Sequence, residues 1–139
     1  MDNTEKYQPG SCNIGEAEIR QRKRIGMVGL IITSIFIFFH LIFSFISNYN
    51  PLWGIFIFPP SLVMMIGFIQ AKERFCAAYG LTNKYNISDK LNLTLKVTDE
   101  DSKNKDKQKS YWIIIKSILY ALIVTLSAII ISMVIVSFA

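Results

Sequence analysis

Three long apolar runs alternate with polar stretches along this chain, and their lengths limit the architecture it can adopt. The first, Ile25–Ser47, has 23 residues and would make a helix of about 34 Å. That is enough to cross a hydrocarbon core of roughly 30 Å with some tilt. The uncharged link NYNP, Asn48–Pro51, is so short that the chain must turn straight back. The second run, Leu52 to Ile69, carries Pro59-Pro60 in its middle. Proline removes helical hydrogen bonds and restricts the residue before it, which predicts a kink or break at Phe58. One solution is a kinked span starting near Leu52. The other is an irregular interfacial piece, Leu52–Phe58, followed by a helix with proline in its first turn. The kinked span is favoured, because Pro60–Ile69 alone is too short to cross. A third run extends from Tyr111-Trp112 to about Phe138. The expected fold class is an all-α membrane protein with three transmembrane helices, the second kinked at Pro59-Pro60.

Between these runs the pattern changes. Pro9-Gly10 punctuates the first residues. Asn13 then has the character of an N-cap, with Glu16 three positions on as in a capping box. Glu16–Arg20 and Glu18–Arg22 are i,i+4 pairs in the favourable orientation. A short surface helix from about Ile14 follows, running into the first span or bending at Gly26. At the end of the second run, QAKERFCAAYG (Gln70–Gly80) predicts a helix continuing beyond the apolar region, with Gly80 as its stop. On an unbroken wheel Ala71, Phe75, Ala78 and Tyr79 share an arc flanked by Cys76, opposite Gln70, Glu73 and Arg74. That apolar arc needs a cover: lipid headgroups, the 13–24 helix or another subunit. Leu91, Leu93, Leu95 and Val97 alternate with polar residues at a period of two, which predicts a strand. Its pairing partner is either Lys84–Ser88, with Asp89-Lys90 in the turn, or the sheet edge of another protein. Asp99–Ser110 reads as a charged linker. In the third run Ser117, Ala121, Thr125, Ala128 and Ser132 place small residues on one face, the composition of a helix–helix seam in lipid. Gly26 and Gly29 are three apart, one short of the close-packing GxxxG spacing. The chain therefore divides into an N-terminal segment 1–24, a hairpin with its helical extension 25–80, a loop and linker 81–110, and a last span 111–139.

Composition supports this division. Apolar residues make up 52% of the chain and aromatic residues 13%, bunched rather than spread at helix or strand periods. The net charge of +5 is segregated: every charged residue except Lys116 lies in residues 1–24 or 71–111. Basic residues beside apolar runs point to anionic lipid headgroups, and no basic patch interleaved with stacking aromatics points to nucleic acid. Positive-inside logic puts the N-terminus and Gln70–Ser110 in the cytoplasm and the C-terminus outside, as a multi-pass protein of the plasma membrane. The first apolar run is too long, and its flanks unsuitable, for a signal peptide, so the N-terminus is expected to be retained. Asn86-Ile87-Ser88 and Asn92-Leu93-Thr94 match glycosylation sequons but would face the cytoplasm unmodified.

Candidate chemistry is sparse. His40 is the sole histidine and the one strongly polar group deep in the first two runs. Ionisable groups in membranes are functional candidates, yet no carboxylate lies in any span to partner it, which favours a structural, hydrogen-bonded histidine. Cys12 and Cys76 would share the reducing side of the membrane. Either Cys12–Glu18 docks on the 70–80 helix end as a redox- or metal-sensitive junction, or the thiols are free and packed; the second is preferred. No phosphate-cradling loop, HExxH, GxSxG or paired intramembrane carboxylate is present, so no catalytic residue, cofactor or metal is expected.

The segments CNIGEAEIRQRKR (Cys12–Arg24) and FIQAKERFCAAYG (Phe68–Gly80) resemble paired motifs of a family of small prokaryotic membrane proteins without an established activity. Those proteins carry a Cys-Asn-Ile-Gly-x-Ala-Glu-Ile stretch with a basic run, then a Phe-Cys motif after a hydrophobic hairpin. The resemblance covers about the first 86 residues and excludes the third span. It implies that Cys12, Gly15, Glu18, Arg20, Phe75, Cys76 and Gly80 form one cytoplasmic constellation. The expected function is a non-catalytic accessory or scaffold subunit that meets other membrane subunits, or a second copy, through helix packing. A small oligomeric transporter or channel using the Pro59-Pro60 kink and His40 is the alternative, and an enzyme comes third.

Overall fold

The computed structural model describes residues 6–46 and 49–138. The chain is mostly helical: α1 (Glu16–Phe43), a 3-10 helix (Pro51–Ile57) running into α2 (Phe58–Lys72), a one-turn α3 (Ala77–Leu81) and α4 (Glu100–Phe138). Between α3 and α4 lie two short antiparallel strands, β1 (Lys84–Tyr85) and β2 (Leu95–Lys96). Three helical stretches, Glu16–Phe43, Pro51–Lys72 and Glu100–Phe138, are long and apolar enough to cross a membrane. Their polar ends lie together, so the molecule has a polar end built from residues 6–24 and 70–110 and a far end at Ser44, Tyr49 and Ser132.

The prolines explain the second stretch. An α-helix through Ile55 and Phe56 would bring the Pro59 and Pro60 rings against those carbonyls. The chain instead winds as a 3-10 helix up to Ile57, and α2 starts at Phe58 with both prolines in its first turn, where no N–H is required. The Asn50 side chain caps the start by accepting from Leu52 N at 3.0 Å. The 3-10 turns rise about 2 Å per residue, so the 22 residues together reach about 36 Å. Pro51–Lys72 is thus helical throughout, with a change of helix type rather than an irregular interfacial piece.

Packing between α1 and α2 rests on glycine. A Cβ on Gly29 would sit 2.5 Å from Met64 N, and one on Gly67 2.5 Å from Gly26 N. The two backbones therefore touch, and the three-residue Gly26–Gly29 spacing serves close packing although it is not the four-residue motif. The small stripe of α4 faces inward: Ser117, Ala121 and Ser132 are fully buried, Thr125 and Ala128 nearly so. Ser132 Oγ and Ser44 Oγ share a 2.6 Å hydrogen bond, and Ile129 lies against Gly54. The seam is an interface within the chain.

Three sequence expectations change at the polar end. The helix beyond α2 does not run unbroken to Gly80. It stops at Glu73 in a Schellman-type turn, with Phe75 N donating to Gln70 O (3.1 Å), Arg74 N to Ala71 O (3.4 Å), and Arg74 in the left-handed region (φ 51°). Helix α3 restarts with a shifted phase, which buries Ala77 and exposes Ala78. Gly80 is not a stop; it lies inside α3, where a Cβ would meet the Asp106 carbonyl oxygen of α4 at 2.8 Å. Second, Asp99–Ser110 is not a linker but the first three turns of α4. Asp99 caps them, its Oδ2 accepting from Ser102 N at 2.9 Å, and Lys105 pairs with Asp101 at 2.6 Å. Third, the long strand shrinks to Leu95–Lys96 paired with Lys84–Tyr85, so the hairpin partner lies within the chain but residues 86–94 form a wide loop instead of a tight Asp89-Lys90 turn.

Candidate functional site

At the polar end four chain segments meet around one carboxylate. Residues Asn13–Gly15 run extended into α1, whose N-cap is Gly15 and not Asn13. This extended stretch bridges to the loop after β1: Gly15 N donates to Asn86 O at 2.7 Å, and Asn86 N to Asn13 O at 2.8 Å. The loop passes so close that a Cβ on Gly15 would lie 2.6 Å from the Ile87 carbonyl oxygen. Asn13, freed from capping, pairs with the peptide of Cys76: its Oδ1 accepts from Cys76 N at 2.6 Å and its Nδ2 donates to Cys76 O at 3.1 Å. This fork fixes the turn between α2 and α3 against the start of α1.

Glu18, one turn into α1, is fully buried. Its Oε1 accepts from Tyr79 Oη (2.8 Å), Asn86 Nδ2 (3.1 Å) and Asn92 N (3.1 Å). Arg22 lies 3.5 Å from Oε2, and its Nη2 donates to Cys76 Sγ at 3.2 Å. Burial alone would raise the Glu18 pKa, but the Asn92 amide, the Tyr79 hydroxyl, the Asn86 amide and the Arg22 charge outweigh it and hold the carboxyl below its ordinary value. The same burial, with the Glu18 hydrogen bond added, pushes the Tyr79 hydroxyl up to about 12. Burial also pushes the Cys76 thiol up despite the guanidinium beside it. Glu18 therefore acts as an ionised tie that joins α1, α3 and the 86–94 loop.

A second set of ties fastens the N-terminal residues and α4. Asp106, fully buried, accepts from Tyr7 Oη (2.8 Å) and Gly10 N (2.7 Å), and Tyr7 stacks on Tyr85 at 4.4 Å. Glu73 meets Lys109 at 2.7 Å and Lys116 at 3.7 Å, and both ammonium groups lie over the Trp112 ring. Lys116 thus reaches back toward the polar end as its position in the sequence requires.

The expected constellation is assembled in part. Gly15, Glu18 and Cys76 belong to the clasp, while Phe75 and Gly80 pack toward α4 beside it. Arg20 is exposed, and Arg22 holds the place next to Glu18 and Cys76. No disulfide joins Cys12 and Cys76; the Cys12 thiol donates to Ile14 O at 3.6 Å. Among the described residues no group of three or more His, Cys, Asp or Glu side chains is placed to hold a metal ion. Asn13, Tyr79, Asn86, Asn92 and Asp106 complete the ties at this end, and no catalytic or ligand motif marks them. Asn86 carried a signal of its own: the Asn-x-Ser pattern here is an Asx turn, with Asn86 Oδ1 accepting from Ser88 N (3.1 Å) and Ser88 Oγ (2.6 Å). A fully buried Asn86 has no room for a glycan.

At the far end His40 is 5% exposed, and its Nδ1 shares a 2.7 Å hydrogen bond with Tyr49 Oη. Its Nε2 lies against Gly54, where an added Cβ would come within 2.9 Å of it. A cavity of about 230 Å³ lies beside the pair, lined by Phe36, Phe39, Phe43, Trp53 and Ile57 among others. Comparison of the chain with protein-family models, curated sequences and solved structures returns no match.

Proposed function

We propose that this chain is a non-catalytic, multi-pass membrane protein that serves as an accessory or scaffold subunit of a membrane complex. The observation that carries the reading is the clasp around Glu18. It holds α1, the α2–α3 turn and the 86–94 loop in one fixed arrangement at the mouth of a three-helix bundle. Preorganised surfaces of this kind lower the ordering cost of association. The lipid-facing sides of α1 and α4, rich in exposed Phe, Ile and Leu, supply the membrane-embedded contact area. The α4 seam, closed by the chain's own helices, does not. Basic residues at the polar end support a cytoplasmic position for it, against anionic headgroups of the plasma membrane.

Native electrophoresis after gentle solubilisation, with mass spectrometry of the bands, tests the proposal. The expected result is a band heavier than the chain that contains other membrane proteins and disappears on Glu18→Ala substitution. A chain found as a monomer overturns it. A second reading, a small oligomeric transporter or channel, draws on the aromatic cavity beside His40 and Tyr49. A homo-oligomer that conducts in liposomes, with conduction lost on His40→Phe, would favour that reading instead.

A further inference from the structure

The 86–94 loop presents leucines where a water-facing loop would not. Leu91 is 48% and Leu93 56% exposed, on either side of Asn92. Their height above the apolar region follows from the bond between them: Asn92 N donates to Glu18 Oε1 at 3.1 Å. Glu18 precedes Ile25, the first residue of the apolar run, by seven positions. At 1.5 Å per residue that places the Asn92 peptide about 10 Å above the start of the run. Headgroups extend about 5–7 Å beyond the hydrocarbon on each side, and interfacial segments bury their apolar groups about 5–10 Å into that boundary. The side chains of Leu91 and Leu93 are therefore within reach of the headgroup layer.

Charge points the same way. Across residues 84–98 Lys84, Lys90 and Lys96 oppose the single acidic residue Asp89. Exposed Arg20, Lys23, Arg24 and Lys72 ring the neighbouring ends of α1 and α2. A basic rim around exposed leucines is complementary to an anionic lipid surface, where each basic group adds attraction that falls off within a Debye length. We propose that the 86–94 loop is a membrane-surface anchor: Leu91 and Leu93 enter the headgroup layer while Lys90 meets anionic phosphates. The positive φ of Asn92 (60°) and its tie to Glu18 hold the two leucines on a loop already shaped before it touches lipid. The inference rests on the membrane reading of the three long helices.

Spin labels on single cysteines in the full chain test it, in a Cys12→Ser background where Cys76 stays buried. Leu93→Cys reports the loop, Ile123→Cys the lipid face of α4, and Asn104→Cys the water-exposed start of α4. In vesicles of phosphatidylcholine and phosphatidylglycerol, the label at 93 is expected to gain oxygen accessibility and lose access to a water-soluble nickel complex relative to 104. The difference should shrink in phosphatidylcholine alone or on Lys90→Glu. If the label at 93 matches that at 104 while 123 remains oxygen-accessible, the anchor is overturned and the membrane reading stands. If 123 also behaves as water-exposed, both fall. Spin–spin broadening at 93 that vanishes on dilution with unlabelled chain would show that a second copy covers the leucines, and that too overturns the anchor.

Discussion

Glu18 concentrates most of the polar end's order in a single side chain. A buried carboxylate is tolerated only when its lone pairs are used, and here one oxygen takes three donors from two other segments. Hydrogen bonds to a charged group contribute roughly 1.5–3 kcal/mol, so Glu18→Ala is expected to destabilise the fold by about 2–4 kcal/mol and take the acceptor from the Tyr79 hydroxyl and the Asn92 amide. The sign of the pH dependence follows from the depressed pKa. A carboxyl that is more acidic folded than unfolded contributes stability that is complete above its unfolded value. That contribution disappears as pH falls through the folded value. Thermal unfolding in detergent should therefore show the melting temperature falling below about pH 4.5, the ordinary value for glutamate. Glu18→Gln should flatten that slope while lowering stability near neutrality. A slope unchanged by Glu18→Gln would assign the acid sensitivity to another carboxylate, with Glu73, held below its ordinary value by the hydrogen bond from Lys109 and the charges of Lys109 and Lys116, the next to examine.

Among the elements, the α4 seam gives the clearest expectation. Ala121 is fully buried and its carbonyl lies 3.5 Å from Ser61 Oγ. Adding a large side chain to a filled interface costs typically 1–3 kcal/mol, so Ala121→Phe should lower thermal stability by about that much. Ile123→Ala, on the exposed face of α4 (58%), should change it little. Loss of oligomeric state without loss of stability would move the seam back to an interface between chains. The stripe itself was legible, because small residues at helical spacing need no structural knowledge to find. Its occupant was not: the same five residues suit an internal or an external helix equally. Other elements were obscured for identifiable reasons. The wheel drawn through Gln70–Gly80 assumed one unbroken phase, and a left-handed Arg74, a residue type that rarely ends a helix in that way, shifted it. Residues 100–110 are too charged to nucleate a helix alone, but they extend one already nucleated by a long apolar segment, which requires only propagation. The Asp99 cap and the Asp101–Lys105 spacing were the signals that favoured it.

At the scale of the molecule, the bundle has two unlike ends, and their separation makes orientation testable. One end gathers nearly all the charge and the clasp; the other holds the His40–Tyr49 and Ser44–Ser132 pairs in an apolar setting. That two polar stretches far apart in sequence, 6–24 and 70–110, converge on one end follows from helices that alternate direction with a short far-end link. How they interlock did not follow, because the ties run between single polar atoms with no sequence period to reveal them. The proposed orientation, charged end in the cytoplasm, predicts which cysteines an impermeant maleimide can reach on intact cells. Cys76 is fully buried with its thiol pKa raised by that burial, so it should stay unlabelled from either side and cannot report topology. Cys12 is partly exposed at the charged end, and Ser137 is exposed at the opposite end of α4. In a Ser137→Cys variant, intact cells should label position 137 alone, and Cys12 should become labelled only after the membrane is opened. Labelling of Cys12 on intact cells, with position 137 protected, would invert the bundle and put the clasp outside. The oxidising setting would then make the two cysteines, rather than the Glu18 tie, the first place to look for function.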